Sequence, residues 1–197
     1  YGGGIALYET LDEFITLEKN FIYENSSAYL GGGFYSRDSY NILMLNNVWS
    51  TNESDSYGGA IRFFQSTAQD SQINSEPGFP ADIKTRTLTK DGYRPVIVNN
   101  TFYSNTSNSG GAIATSHYGL NTPVIFNSIF WENEAVLGDD VNNTGVDSLI
   151  ISYCNISENN VSGNWSGIEN IAGDPGFQSG DSLCHITGGI CHDAGIN

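Results

Sequence analysis

Two short motifs recur along the chain in phase, and this constrains the fold more than any other feature. A glycine pair followed by an apolar residue occurs as GGGI at 2–5, GGGF at 31–34 and GGAI at 58–61 and 110–113, with a fifth, weaker copy at Gly138-Asp139-Asp140-Val141. An apolar residue three positions before an asparagine recurs beside it, ending at Asn25, Asn52, Asn105, Asn133 and Asn159. The asparagines are 27, 53, 28 and 26 apart, and Gly31, Gly58, Gly110 and Gly138 are 27, 52 and 28 apart. Two unrelated motifs therefore report one period of about 27 residues, with the same extra stretch in one interval. Self-similarity at such a period marks a chain built by stacking one unit on the next.

Each repeat also holds a short apolar run bounded by turn formers: 14–17, 42–45, 95–98, 123–126 and 148–151. Strands after the glycines, at these runs and around the asparagine motif make three per repeat. Leucine-rich repeats need a leucine ladder that is absent, and the helical repeats are longer. The chain is rich in Gly and poor in Met and in Lys plus Arg, a stock for strands and turns rather than for long amphipathic helices. The spacing predicts an all-β, right-handed parallel β-helix of about 27 residues per coil. Leu7, Leu11, Phe14 and Ile15 fall at helical spacing, but the equivalent stretches of later repeats do not, so phase favours strand there. On this reading the glycines allow a tight corner, and Asn25, Asn52, Asn105, Asn133 and Asn159 stack as a structural amide ladder. The extra residues between Phe64 and Val96 read as an inserted loop or hairpin at 65–95. The chain begins inside a repeat, so 1–197 is expected to be a single β-helix domain cut from something longer.

GGAI at 58–61 and 110–113, with FYSN at 102–105 and FWEN at 130–133, resembles the repeats of chlamydial polymorphic outer membrane proteins and of related bacterial β-helix proteins. The resemblance covers about residues 1–160. The tail, with Asp174-Pro175-Gly176-Phe177 and Cys191-His192-Asp193-Ala194-Gly195, is similar to segments that end secreted bacterial β-helix proteins, which implies a C-terminal coil or cap at 171–197. The resemblance implies an extracellular or cell-surface location. It also implies that a site, where such a protein has one, lies on one sheet in a groove framed by loops, often for acidic polysaccharides.

Twenty-two acids against seven bases give a net charge of −15, which excludes nucleic acid and anionic lipid as partners, since both need a cationic face. No apolar run is long enough to span a membrane. A lyase-like site would need acids for calcium and a basic Arg or Lys; Arg37 and Arg62, six and four residues after a glycine pair begins, are the candidates on one side, against two solvated surface arginines. A hydrolase-like site would need paired carboxylates. The only adjacent acids are Asp12-Glu13 and Asp139-Asp140; Asp139 stands where the corner glycine of other repeats sits, which favours a turn. His117 is a candidate acid–base group or a surface histidine. No cofactor is indicated apart from calcium, for which Asp139, Asp140 and Asp147 are the candidate ligands, against solvated turn acids.

Cys184 and Cys191 are a candidate disulfide or two buried thiols, and Cys154 reads as a small core residue. Of eight N-x-[ST] sequons, those at Asn142, Asn160 and Asn164 are expected on exposed loops. Tyr35, Tyr40, Tyr57, Tyr103, Tyr118 and Trp165 read as turn or strand-end aromatics able to meet a sugar or a protein. The expected function is a non-enzymatic extracellular module serving adhesion or a structural, fibre role, with a surface glycan or protein as partner. The alternative is a carbohydrate-active or carbohydrate-binding β-helix protein. A third is a filament subunit that self-associates through its coil ends.

Overall fold

The structure is a computed structural model and describes residues 1–10, 14–39, 41–65, 94–116 and 122–177. Asp12, Glu13, Tyr40, His117, Tyr118, Cys184, Cys191, nearly all of the 65–95 segment and the end of the 171–197 segment lie outside the described residues. Short β-branched and aromatic runs, cut every few residues by Gly, Asn or Ser, leave room for strands only. Among the described residues there are strands and one 3-10 turn (Glu158–Asn160).

Among the described residues all pairing is parallel, in four sheets. The first holds β1 (Ile5–Tyr8), β5 (Phe34–Arg37), β9 (Ile61–Phe64), β13 (Ile113–Ser116), β17 (Val141–Asn143) and β19 (Val161–Gly163). The second holds β2 (Ile15–Glu18), β6 (Ile42–Leu45), β10 (Val96–Val98), β14 (Val124–Phe126), β18 (Leu149–Ser152) and β20 (Trp165–Ser166). The third holds β3 (Phe21–Tyr23), β7 (Val48–Ser50), β11 (Thr101–Tyr103) and β15 (Ile129–Trp131). The fourth holds β4 (Ser26–Ser27), β8 (Glu53–Ser54), β12 (Thr106–Ser109) and β16 (Glu134–Leu137). The chain visits the four sheets in the same order four times, then twice returns to the first two only. Ile5 pairs with Phe34, Phe34 with Ile61 and Ile113 with Val141, offsets of 29, 27 and 28; Ile61 pairs with Ile113 across 52 residues, bridging the extra stretch.

Four strands per repeat, not three, is a correction to the sequence reading. The fourth is two to four residues of mostly Ser, Thr and Glu, with no apolar alternation to announce it. At the two ends of the helix-like spacing, Leu7 lies on strand β1 and Ile15 on strand β2, where in-register partners on β5 and β6 supply the backbone hydrogen bonds; Leu11 lies outside the described residues.

One apolar cluster gathers side chains from three sheets: Phe34, Ile61 and Ile113 from the first, Met44 and Ile97 from the second, Trp49, Phe102 and Phe130 from the third. Those three sheets face a common core. Trp49, Phe102 and Phe130 stack nearly parallel, with centroids 6.2 and 4.7 Å apart. The fourth sheet contributes buried Ser27 and Ser54, whose hydroxyls donate to the carbonyls of Leu30 and Tyr29.

Two rows of polar side chains close the core. In the first, the backbone and side-chain amides of Asn25 donate to Asn52 Oδ1, those of Asn52 to Asn105 Oδ1, and those of Asn105 to Asn133 Oδ1, at 3.0–3.2 Å. Asn133 then donates to Asp140 Oδ1 at 2.9 Å. Asn159 stands outside this row, exposed on the 3-10 turn, and its neighbour Asn160 donates to Asp140 Oδ2 at 3.0 Å instead. The second row, Asn20–Asn47–Asn100–Ser128–Cys154–Asn170, is linked the same way by backbone amides donating to the next side chain. Cys154 is buried and unbridged, and burial pushes its thiol up to about 12.

Candidate functional site: a tyrosine groove on the first sheet

Alternation along the first sheet sends Phe34, Ile61 and Phe63 to the core and Tyr35, Arg37, Arg62 and Phe64 to the other face. The register sets Tyr35 opposite Arg62 and Arg37 opposite Phe64, with Tyr8 beside Arg37 on the preceding strand. Tyr29 and Tyr57 approach from the corner just before Gly31 and Gly58. These residues, with Tyr1, line an open groove of about 400 Å³.

Tyr35 forms the floor and is only 3% exposed. The turn or strand-end position expected from the sequence is thus a position inside β5, with the phenol covered by its neighbours. Tyr1 stacks on it with centroids 5.7 Å apart, and Tyr8 meets it edge-on at 5.5 Å. Burial, then the nearby Tyr8, pushes the Tyr35 phenol above its usual range. Tyr1, Tyr8, Tyr29 and Tyr57 each keep substantial ring surface in solvent. The groove therefore offers several aromatic faces at once.

Arg62 is the one buried cation among the described residues, 5% exposed, whereas Arg37 lies at the surface paired with Asp38 at 3.3 Å. Arg62 Nη2 donates to Ser116 Oγ at 2.9 Å, and its guanidinium lies 4.8 Å from the Tyr57 ring centroid and 5.7 Å from that of Phe64. Among the described residues its Nε and Nη1 have no hydrogen-bond partner. Desolvation lowers Arg62 to about 10, partly offset by Tyr57 and Tyr35, so it stays cationic at neutral pH. The structure thus brings Arg37 and Arg62 to one face.

The other candidates lie elsewhere. Asp139 is a turn residue whose Oδ1 accepts the Ala135 amide at 3.2 Å. Asp140 is 2% exposed at the end of the first polar row, and desolvation raises its carboxyl to about 6 against the hydrogen bonds from Asn133 and Asn160. Asp147 sits on the turn before β18, its carbonyl accepting from Asn143. Among the described residues no group of three or more His, Cys, Asp or Glu side chains is placed to hold a metal ion. Asn142 is buried rather than exposed, because it belongs to β17 and donates to Ser109 Oγ. Asn160 is partly covered and Asn164 exposed.

Tyr1, Tyr8 and Tyr29 were not legible as groove residues. The available signal was parity: Tyr8, Arg37 and Phe64 share one position in their strands, and Tyr35 and Arg62 another. Counting from the corner glycines carries it: Tyr8, Arg37 and Phe64 stand six residues after Gly2, Gly31 and Gly58, and Tyr35 and Arg62 stand four after Gly31 and Gly58. Among the described residues no helix is long and apolar enough to cross a membrane. Compared with protein-family models, with curated proteins and with solved structures, the chain has no match in any of the three.

Proposed function

We propose that the chain is a right-handed parallel β-helix of about 27 residues per coil serving as a non-enzymatic, extracellular adhesion module, and that the tyrosine groove is its glycan-recognition surface. The fixed visiting order of the four parallel sheets and the pair offsets of 27 to 29 support the β-helix. One observation carries the function: four solvent-facing tyrosines converge on one groove, and among the described residues that line it there is no carboxylate. Aromatic faces bind the apolar faces of sugar rings. Glycoside hydrolysis needs two carboxylates, and a calcium-dependent lyase needs acids beside its base, so this lining suits holding a saccharide rather than cleaving it.

The test is binding to a panel of neutral and acidic oligosaccharides, with and without calcium, followed by product analysis of every hit. Binding with the oligosaccharide recovered intact is the expected result. Shortened or unsaturated products would overturn the non-enzymatic reading, and a blank panel would overturn glycan recognition.

A further inference from the structure

The groove holds a charge that the described residues leave uncompensated. Arg62 is only 5% exposed, and among the described residues its Nε and Nη1 meet no acceptor. Its one polar contact is the neutral Ser116 hydroxyl, and its other neighbours are the Tyr57 and Phe64 rings. In a chain with 22 acids, the ion pairs among the described residues are Lys19–Glu18 and Arg37–Asp38, and neither involves Arg62. Burying a cation without an anion is unfavourable, and an apolar residue of similar size usually fits such a place better. A guanidinium kept there with its N–H fork free is suited to a planar, two-oxygen acceptor.

Resting on the glycan reading above, we infer that Arg62 is an oxyanion subsite of the tyrosine groove, which selects a saccharide carrying a carboxylate or sulfate. The sugar ring lies on the tyrosine faces. Its oxyanion takes the Nε and Nη1 donors of Arg62 when the Tyr57 ring, 37% exposed, swings aside from the guanidinium.

The experiment measures binding of three probes to the whole chain by calorimetry: an oligogalacturonate, its fully methyl-esterified form and a sulfated galactan oligomer. Either anionic probe should bind about 10- to 100-fold tighter than the ester, the range of a charge-assisted pair, and which one does so separates carboxylate from sulfate. Arg62→Met should reduce that preference to near unity while leaving the weaker binding of the ester in place. Its thermal midpoint should hold or rise, because an uncompensated buried charge is gone. Equal binding of ester and anions by the unsubstituted protein would overturn the oxyanion subsite and leave glycan recognition standing. Binding of none of the three would overturn both. An Arg62→Met chain that folds and keeps the preference would assign the charge to structure alone. Should Arg62→Met fail to fold, Ser116→Ala, which frees Nη2 without touching the charge, should keep the preference for the anion, and its loss there would overturn the assignment.

Discussion

At the scale of single residues, the asparagine rows explain much of what looked like chance. Asn25, Asn52 and Asn105 each precede a serine by two positions, and the serines of β4, β8 and β12 align in register. Ladder amide plus corner hydroxyl spells N-x-S, so three of the eight sequons are by-products of the fold, with the asparagines of two of them buried. The row ends on Asp140 rather than on another asparagine, and this end is sensitive to pH. Its folded pKa of about 6 lies above the ordinary 3.8. The folded state therefore holds the proton more tightly than the unfolded chain. The stabilisation is complete below about pH 4 and is lost as pH rises through about 6, an effect on the order of 3 kcal/mol. Asp140→Asn cannot titrate, so its cost relative to the unsubstituted protein should be larger at pH 4 than at pH 7 by that amount in urea unfolding. Curves that run parallel across this range would sink the assignment. The difference between the two proteins matters here, because the other acids lose their mutual repulsion over the same interval.

At the scale of elements, the glycine corners and the asparagine rows were legible because each imposes a residue type that nothing else satisfies. Gly31, Gly58, Gly110 and Gly138 all adopt left-handed φ between 59 and 67°. The second glycine of each pair is required for a different reason, close approach of the next layer. A Cβ on Gly59 would stand 2.1 Å from the Gly111 carbonyl oxygen and 2.6 Å from that of Thr106. Asp139 occupies the same place one layer beyond Gly111, where the fourth sheet has ended with β16, so no further strand of that sheet excludes its side chain. Gly59→Ala is therefore expected to destabilise by roughly 3 kcal/mol or more, with the backbone of the next layer, at Gly111 and Thr106, unable to yield. Asp139→Ala should lose about 1 kcal/mol, the bond to the Ala135 amide. Equilibrium denaturation of the pair checks this, and equal costs would refute the layer argument. The second polar row escaped the sequence reading because Asn20, Asn47 and Asn100 give way to Ser128 and Cys154. Accepting a backbone N–H is a role that amide, hydroxyl and thiol share, so the function of the row persists while its spelling does not. The outward face of the first sheet was legible only in part: even counts from the corner glycines set Arg37 and Arg62 on one side, but the tyrosines around them were not gathered there. Its groove depends on which of two alternating faces each strand presents, and a one-residue miscount inverts that.

At the scale of the whole molecule, a stack in which each repeat touches only its neighbours should tolerate loss of one complete unit. Residues 31–57, from one left-handed glycine to the residue before the next, span 27 positions and include β5, β6, β7 and β8. Their deletion joins Leu30 to Gly58. It presents Ile5 to Ile61, Ile22 to Phe102 and Asn25 to Asn105, the partners that β5, β7 and the first polar row now meet. On the β-helix proposal the shortened chain should keep its β circular dichroism and unfold cooperatively. The denaturant slope should fall by about one-seventh, the share of the chain removed. The same chain lacks Tyr35, Arg37 and Tyr57, so on the proposed glycan reading binding should vanish while the fold persists, which separates the scaffold from the groove built on it. Deletion of 31–43 alone, which removes β5 and half of β6, leaves the remaining strands out of register with their neighbours and should not fold. If the full-repeat deletion also yields an unfolded spectrum, the repeats are not interchangeable layers, and the four parallel sheets must be held together by contacts that the period of the sequence does not record.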